Sequence, residues 1–219
     1  MQKLFLLLII FIFGSTYSYG QNEAELYKRI YRTADSLKAI GQIGAIDTTS
    51  LFKQAKDLDN RHPSAFFEFS GDYLTKSKFN EAAFSYYLGL MRFRYYNSAN
   101  PEYQASGDGA LLSSLKQALG EPVNMYLRTD VDNFIFIIKL TVSYYSTYDF
   151  AFFSKDKNIE KFNAQIKAFN DLILELETNK EKYKEQWITE RKKMEASIDK
   201  MIEEQKNQNT EKEENNKNK

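Results

Sequence analysis

Cysteine is absent from this sequence, and its absence excludes several kinds of protein at once. A chain without thiols has no disulfide framework, no thiolate metal site and no cysteine on which a lipid anchor could be built, so it is not a lipoprotein. The fold must depend on its hydrophobic core. A single domain of this size buries roughly 70% of the surface that its unfolded chain exposes, and we expect one domain.

Proline and glycine are scarce, at 3 and 9 residues, whereas phenylalanine and tyrosine are frequent, at 17 and 15. Few prolines and glycines mean few tight turns, and the many large apolar side chains must be buried. This composition favours long helices. We predict an all-α fold.

An excess of one charge is also lacking, because 30 lysine and arginine residues balance 30 aspartate and glutamate residues. No overall field draws the chain to nucleic acid or to anionic lipid. Histidine occurs once, at His62, so a catalytic triad or a two-histidine metal site would need other groups in its remaining positions. We expect His62 to be a structural turn residue, and we predict no cofactor and no metal site.

One long hydrophobic run is present at residues 4–13, behind the basic Lys3, and small or polar residues follow it at 14–20. These are the parts of a secretory signal peptide. The run is shorter than the roughly 20 apolar residues that a membrane-spanning helix needs. We predict a signal peptide at residues 1–20, a mature chain that begins at Gln21, and a periplasmic or secreted protein without stable membrane insertion. Cleavage two residues earlier and retention of the segment as an uncleaved anchor are the alternatives.

Apolar residues then recur every three or four positions, which is the spacing of helices that bury one face. This pattern predicts a single helical domain at residues 21–206 and a disordered polar tail at 207–219, which has nothing to bury. The predicted helices lie at residues 23–40, from about 50 to 61, at 63–95 as a pair that turns at 75–79, at 108–120, from 130 through 142, and at 158–205, the last continuous or broken once.

The apolar run Phe134–Val142 is rich in β-branched residues, and its periodicity fits either a buried helix or a central strand. We choose the helix, because no other stretch offers a strand partner and an isolated strand leaves its backbone groups unbonded. Asp108 and Asp130 stand where side chains cap helices. Gly120 and Pro122 are expected to end the helix that Asp108 begins.

The stretch at residues 63–95 alternates large and small side chains as an antiparallel helix pair does. Its large residues include Phe66 and Tyr73, and its small ones include Ala82 and Gly89. This pattern resembles one tetratricopeptide or Sel1-like helix pair. No second copy follows at the ~34-residue period of such repeats, so we expect one tetratricopeptide-like hairpin and a long C-terminal helix, not a stacked array.

Two longer strings carry a further resemblance: FSYYLGLMRFR at residues 84–94, and GDG at 107–109 with GEPVNMY at 120–126. They are similar to a family of uncharacterised exported bacterial helical proteins that contain one tetratricopeptide/Sel1-like helix pair. The resemblance extends over about residues 62–195 and implies a helical fold. The chain departs from the family pattern at Leu90, where glutamine is usual. The resemblance implies no activity.

Tyrosine and arginine are concentrated at residues 86–96. These two residue types supply most of the energetic hot spots of protein interfaces. The predicted partner-binding residues are Tyr86, Tyr87, Arg92, Arg94 and Tyr96. Single-stranded nucleic acid could stack on the same residues, but a neutral, exported chain rarely meets it, so we predict no nucleic-acid partner. The favoured function is that of a non-catalytic protein of the periplasm or cell envelope that binds another protein.

Three other functions fit the same sequence. The chain could be a periplasmic immunity protein that neutralises a toxin, since such proteins are small and carry no active site of their own. A carboxylate-dependent hydrolase could use Asp108, Asp130 or Asp132 for acid–base chemistry. A purely structural protein could pair with a copy of itself through the aromatic and methionine stripe at residues 183–201.

Overall fold

The computed structural model describes the backbone of residues 23–217 and the side chains of residues 23–204, 206 and 207. Within this part of the chain the structure is helical and contains no strand, which confirms the predicted all-α fold. The described residues form eight α-helices: α1 at residues 23–39, α2 at Thr48–Leu58, α3 at Ser64–Thr75, α4 at Phe79–Ala99, α5 at Ala110–Leu127, α6 at Val131–Thr147, α7 at Ile159–Thr178 and α8 at Lys180–Lys217.

Several helix ends follow from the local sequence. α1 ends before Gly41, which has a positive φ of 67°, a conformation that glycine adopts without steric cost. Asp47 caps α2 by accepting a hydrogen bond of 3.1 Å from the backbone N–H of Ser50. Asp130 caps α6 in the same way, at 3.0 Å from the backbone nitrogen of Asn133, as predicted.

Two further expectations about helices are confirmed. The apolar run at residues 134–142 lies inside α6 and not in a strand. The C-terminal helical region is broken once, at Asn179, which separates α7 from α8.

The chain around α5 differs from the prediction. Gly120 and Pro122 do not end a helix, because α5 continues to Leu127 with Pro122 inside it. Both residues are buried, and the packing of this side of α5 outweighs the hydrogen bond that proline cannot donate. Asp108 does not cap α5; a π-helical turn at Ala105–Gly109 leads into this helix without a side-chain cap.

α4 is the central helix, and it packs against α3, α5, α6 and α7. Most side chains of residues 79–93 are buried on every side of the helix, because neighbours surround it. α3 and α4 run antiparallel: the Ser70 hydroxyl donates to the carbonyl of Ala82 at 2.9 Å, and Phe66 meets Gly89 further along. The likeness of this pair to a tetratricopeptide hairpin stays a prediction.

α8 covers the outside of the bundle. Its Trp187 and Ile198 are buried, and its Arg191 makes two hydrogen bonds of 2.7 and 2.6 Å with Asp35 of α1. Much of the stripe at residues 183–201 therefore packs against the protein's own core.

Some predictions concern residues outside this description. The predicted signal peptide, residues 1–20, lies wholly outside the described residues. The predicted disordered tail at 207–219 overlaps the end of α8, and it stays a prediction. None of the described helices combines the length and the apolar character that a membrane crossing requires.

Candidate functional site

The five residues predicted to bind a partner all lie on α4, and the helix directs them to three different places. Tyr86, Tyr87 and Arg94 line an open cleft. Arg92 lies in the core, and Tyr96 packs near the start of α3. The predicted surface is therefore not continuous.

Arg92 is fully buried, with 0% of its surface exposed, so its assignment to a partner-binding surface is wrong. Its Nε lies 3.0 Å from Oδ1 of the buried Asp59, and its Nη2 donates to the carbonyl of Tyr148 at 2.8 Å. The Tyr144 hydroxyl donates to the same carboxylate at 2.9 Å. Burial raises the pKa of Asp59 to about 6, although Arg92 and Tyr144 act to lower it. Arg92 holds α4 to neighbouring segments inside the protein.

Tyr96 belongs to an aromatic group around His62. Its ring and those of Phe93 and Phe152 lie 5.2 to 5.6 Å from the imidazole and nearly perpendicular to it. These edge-to-face contacts are typical of aromatic packing and do not require a partner.

His62 lies between a serine and an aspartate, as the histidine of a hydrolase triad does. Its Nδ1 is 3.0 Å from Oγ of Ser64, and its Nε2 is 3.3 Å from Oδ1 of Asp108. The backbone N–H of Ser64 also donates to Nδ1, while those of Ala65 and Phe66 donate to the carbonyls of His62 and Pro63. These amides are thus not available to stabilise an oxyanion. His62 thus lies in the turn before α3 and accepts a hydrogen bond from the first backbone N–H of that helix, an arrangement compatible with the expected structural turn residue.

The other proposed catalytic carboxylates also have partners within the protein. Asp130 caps α6 and lies 3.2 Å from Nζ of Lys38. Asp132 pairs with Lys180. Among the described residues, no group of three or more histidine, aspartate and glutamate side chains is arranged to hold a metal ion.

The open cleft lies between α4, α5 and α7, with a volume of about 370 Å³. This volume accommodates one or two side chains of a partner. Its described lining consists of Tyr86, Tyr87, Leu90 and Arg94 from α4, Lys116 and Asn124 from α5, and Ala168, Phe169 and Leu172 from α7.

Helical spacing explains which side chains meet in the cleft. Residues separated by four or eight positions share one face of a helix, as do Tyr86 and Arg94 on α4 and Lys116 and Asn124 on α5. Gly120 lies midway along this face of α5. A Cβ atom at Gly120 would be 2.9 Å from the Tyr86 hydroxyl, so glycine allows that hydroxyl to approach α5.

One hydrogen bond orients the polar groups of the cleft. The Tyr87 hydroxyl donates to Oδ1 of Asn124 at 2.6 Å, which leaves the amide nitrogen of Asn124 as a donor. Burial raises the pKa of both Tyr86 and Tyr87, so the two phenols stay neutral.

Two exposed cations stand at the cleft, Arg94 and Lys116. Neither makes an ion pair or a hydrogen bond with another described residue, and none of the described lining residues is acidic. Phe169, which is buried and packs edge-to-face on Tyr87 at 6.1 Å, forms the apolar wall together with Leu90. The cleft can therefore bind a group that is negatively charged at one end and apolar at the other.

Only part of this site was predicted from the sequence. Lys116 and Phe169 were not among the predicted site residues, and Asn124 lies beyond the point at which Gly120 and Pro122 were expected to end the helix. The available signal was the spacing of Lys116, Gly120 and Asn124, which repeats every four residues and becomes meaningful only if the helix continues through the proline.

The fold and the cleft define an all-α protein with an open, cationic cleft beside its central helix. The chain matches no protein-family model, no curated protein and no solved structure.

Proposed function

We propose that this chain is a non-catalytic, exported protein of the periplasm or cell envelope that acts by binding another protein, and that the cleft between α4, α5 and α7 is its contact site. The observation that carries the proposal is the combination of an apolar, aromatic wall with the exposed cations Arg94 and Lys116. Aromatic and arginine side chains around a pocket are typical of the centre of a protein interface.

The internal partners of the catalytic candidates support binding over catalysis. Asp108 is bonded to His62, Asp130 to the first turn of α6 and to Lys38, and Asp132 to Lys180. A general acid or base must reach a substrate, whereas each of these carboxylates already has a partner within the protein. Support for export comes from the signal-like residues 1–20 of the sequence.

A matched pair of substitutions, each replacing an exposed alanine by arginine, tests the proposal. Ala168 is exposed at the cleft, and Ala168→Arg would place a long side chain in it without changing the core. Ala196 is exposed on α8 and does not line the cleft, so Ala196→Arg is the control. We expect tagged wild-type protein and A196R, expressed in the native host, to retain the same stoichiometric partner, and A168R to lose it.

Two results would contradict the proposal: equal retention of that partner by A168R and A196R, or turnover of a substrate by the purified protein. The identity of a captured partner also tests the immunity-protein alternative, because a toxin would support it and an envelope protein would not.

A further inference from the structure

We infer that the cleft binds a carboxylate of its protein partner, an aspartate or glutamate side chain next to an apolar residue, and that Arg94, Lys116 and the amide nitrogen of Asn124 form the anion site. The inference rests on the proposed function and specifies the chemistry that the same cleft recognises. It follows from the donors, the charge and the backbone of the cleft.

Arg94, Lys116 and the amide nitrogen of Asn124 offer only hydrogen-bond donors to the cleft, and the Tyr86 hydroxyl can donate as well as accept. Arginine and lysine have donors and no acceptor. The Asn124 oxygen already accepts from Tyr87, so its amide nitrogen remains to donate. A ligand that satisfies these groups together must present acceptors, and a carboxylate presents two oxygens with about four acceptor sites.

The charge of the cleft is not neutralised by its own lining. Arg94 and Lys116 approach from different helices, α4 and α5, and no acidic residue lies among the described lining residues. Asp171, on the α7 segment that lines the cleft, is engaged by Lys167 at 2.7 Å. An anionic ligand would therefore gain two attractive interactions without displacing an existing ion pair.

The backbone around the cleft favours a carboxylate over a phosphate group. Phosphate sites commonly use the free amides of a helix N-terminus or a glycine-rich turn. The cleft is lined by the middles of α4, α5 and α7, whose backbone amides are bonded within the helices. Two cations and one side-chain amide match the oxygens of a carboxylate. The apolar wall formed by Phe169 and Leu90 would contact the apolar residue next to that carboxylate in the partner.

3-Phenylpropionate is a probe with both features, a carboxylate and an apolar ring. 3-Phenylpropionamide has nearly the same shape without the charge. Titration of each into the isotope-labelled protein, followed by NMR, reports on the side-chain amide of Asn124 directly. We expect 3-phenylpropionate to shift the Asn124 amide signals in a saturable manner and the uncharged amide to bind at least roughly tenfold more weakly.

Substitution of the cations locates the anion site. Arg94→Met and Lys116→Met should each weaken binding of 3-phenylpropionate by roughly tenfold, since each removes a charge-assisted contact. Lys53, on α2, is exposed and does not line the cleft, so Lys53→Met removes the same charge and should leave binding unchanged. Added salt should weaken binding to the wild type.

The inference is overturned if 3-phenylpropionate and its amide bind equally, if neither shifts the Asn124 signals, or if K53M weakens binding as much as K116M. Its failure can be told from failure of the proposed function. If the partner is lost by A168R but retained by both R94M and K116M, the result supports protein binding at the cleft and contradicts recognition of a carboxylate. If 3-phenylpropionate binds in a charge-dependent manner but no protein is captured, the result supports the carboxylate site and contradicts the proposed function.

Discussion

Arg92 and Arg94 are two residues apart on α4, yet their environments are opposite. Arg92 is enclosed by the core and bonded to Asp59, whereas Arg94 is exposed at the cleft and has no ionic partner among the described residues. Two positions along a helix correspond to a rotation of roughly 200°, which places the two guanidinium groups on nearly opposite faces. One arginine is therefore structural, and the other is available to a ligand.

Arg92→Met should destabilise the protein most at neutral pH. Folding raises the pKa of Asp59 from 3.8 to about 6, so the stability contributed by this group is greatest below pH ~4 and falls as the pH rises towards 6. Without Arg92, the largest influence that lowers this pKa, the fall should continue through neutral pH. We expect a loss of about 3 to 5 kcal/mol in unfolding free energy near neutral pH and a smaller loss near pH ~4.5, measured by urea denaturation.

The control for this experiment is Arg94→Met, which removes the same charge from the exposed face. It should change the unfolding free energy by less than about 0.5 kcal/mol at both pH values. Equal losses in the two variants, or a loss in R92M that does not depend on pH, would contradict the structural role given to the Asp59–Arg92 pair.

At the scale of elements, the crossing of α3 and α4 determines how the bundle packs. The two helices approach closely at Gly89, since a Cβ atom there would lie 2.7 Å from Cβ of Phe66 and 3.1 Å from Cε2 of Phe67. These neighbours are buried, and one of the nearby atoms is a Cβ fixed to the backbone. The helices would have to move apart to admit a methyl group.

Gly89→Ala should therefore destabilise the protein by about 1 to 3 kcal/mol, although alanine is the better helix former. Gly71 provides the comparison, because a Cβ atom there would meet Leu119 at 3.8 Å, an ordinary contact. We expect Gly71→Ala to be neutral or to stabilise by up to about 1 kcal/mol. Thermal unfolding of both variants checks this, and a G89A protein as stable as G71A would show that the helices do not cross as described.

The sequence predicted most elements because their signals are local: apolar spacing, and caps such as Asp47 and Asp130. The prediction was wrong at α5, because a proline in the sequence indicates the end of a helix. Only the packing of Gly120 and Pro122 against other helices reveals that this helix continues. The cleft depends on that continuation. Its residues come from three helices, and no local pattern shows that these helices meet.

At the scale of the whole molecule, α8 packs against the rest of the bundle through Trp187, the one tryptophan of the sequence. Trp187 is 7% exposed, and its ring centre lies 5.1 Å from that of Tyr183 and 5.8 Å from that of Phe134 on α6. The next residue, Ile188, is 58% exposed. The helix thus directs one large side chain into the fold and the adjacent one outwards.

Trp187→Ala should cost about 3 to 5 kcal/mol of unfolding free energy, since it leaves a large cavity between α6 and α8. Ile188→Ala should change it by less than about 1 kcal/mol. Circular dichroism during denaturation measures both without relying on tryptophan fluorescence. If W187A were as stable as I188A, the stripe of α8 would not be packed in the protein's own core, and pairing with a second copy would regain support.

The central claim is that the cleft between α4, α5 and α7 binds a protein partner. The most direct measurement is crosslinking in the native host from a photoreactive amino acid placed at Ala168 in the cleft, with Ala196 on α8 as the control position. The account predicts one discrete crosslinked protein from position 168 and none from position 196. No crosslinked protein from position 168, or the same protein from both positions with equal yield, would contradict it.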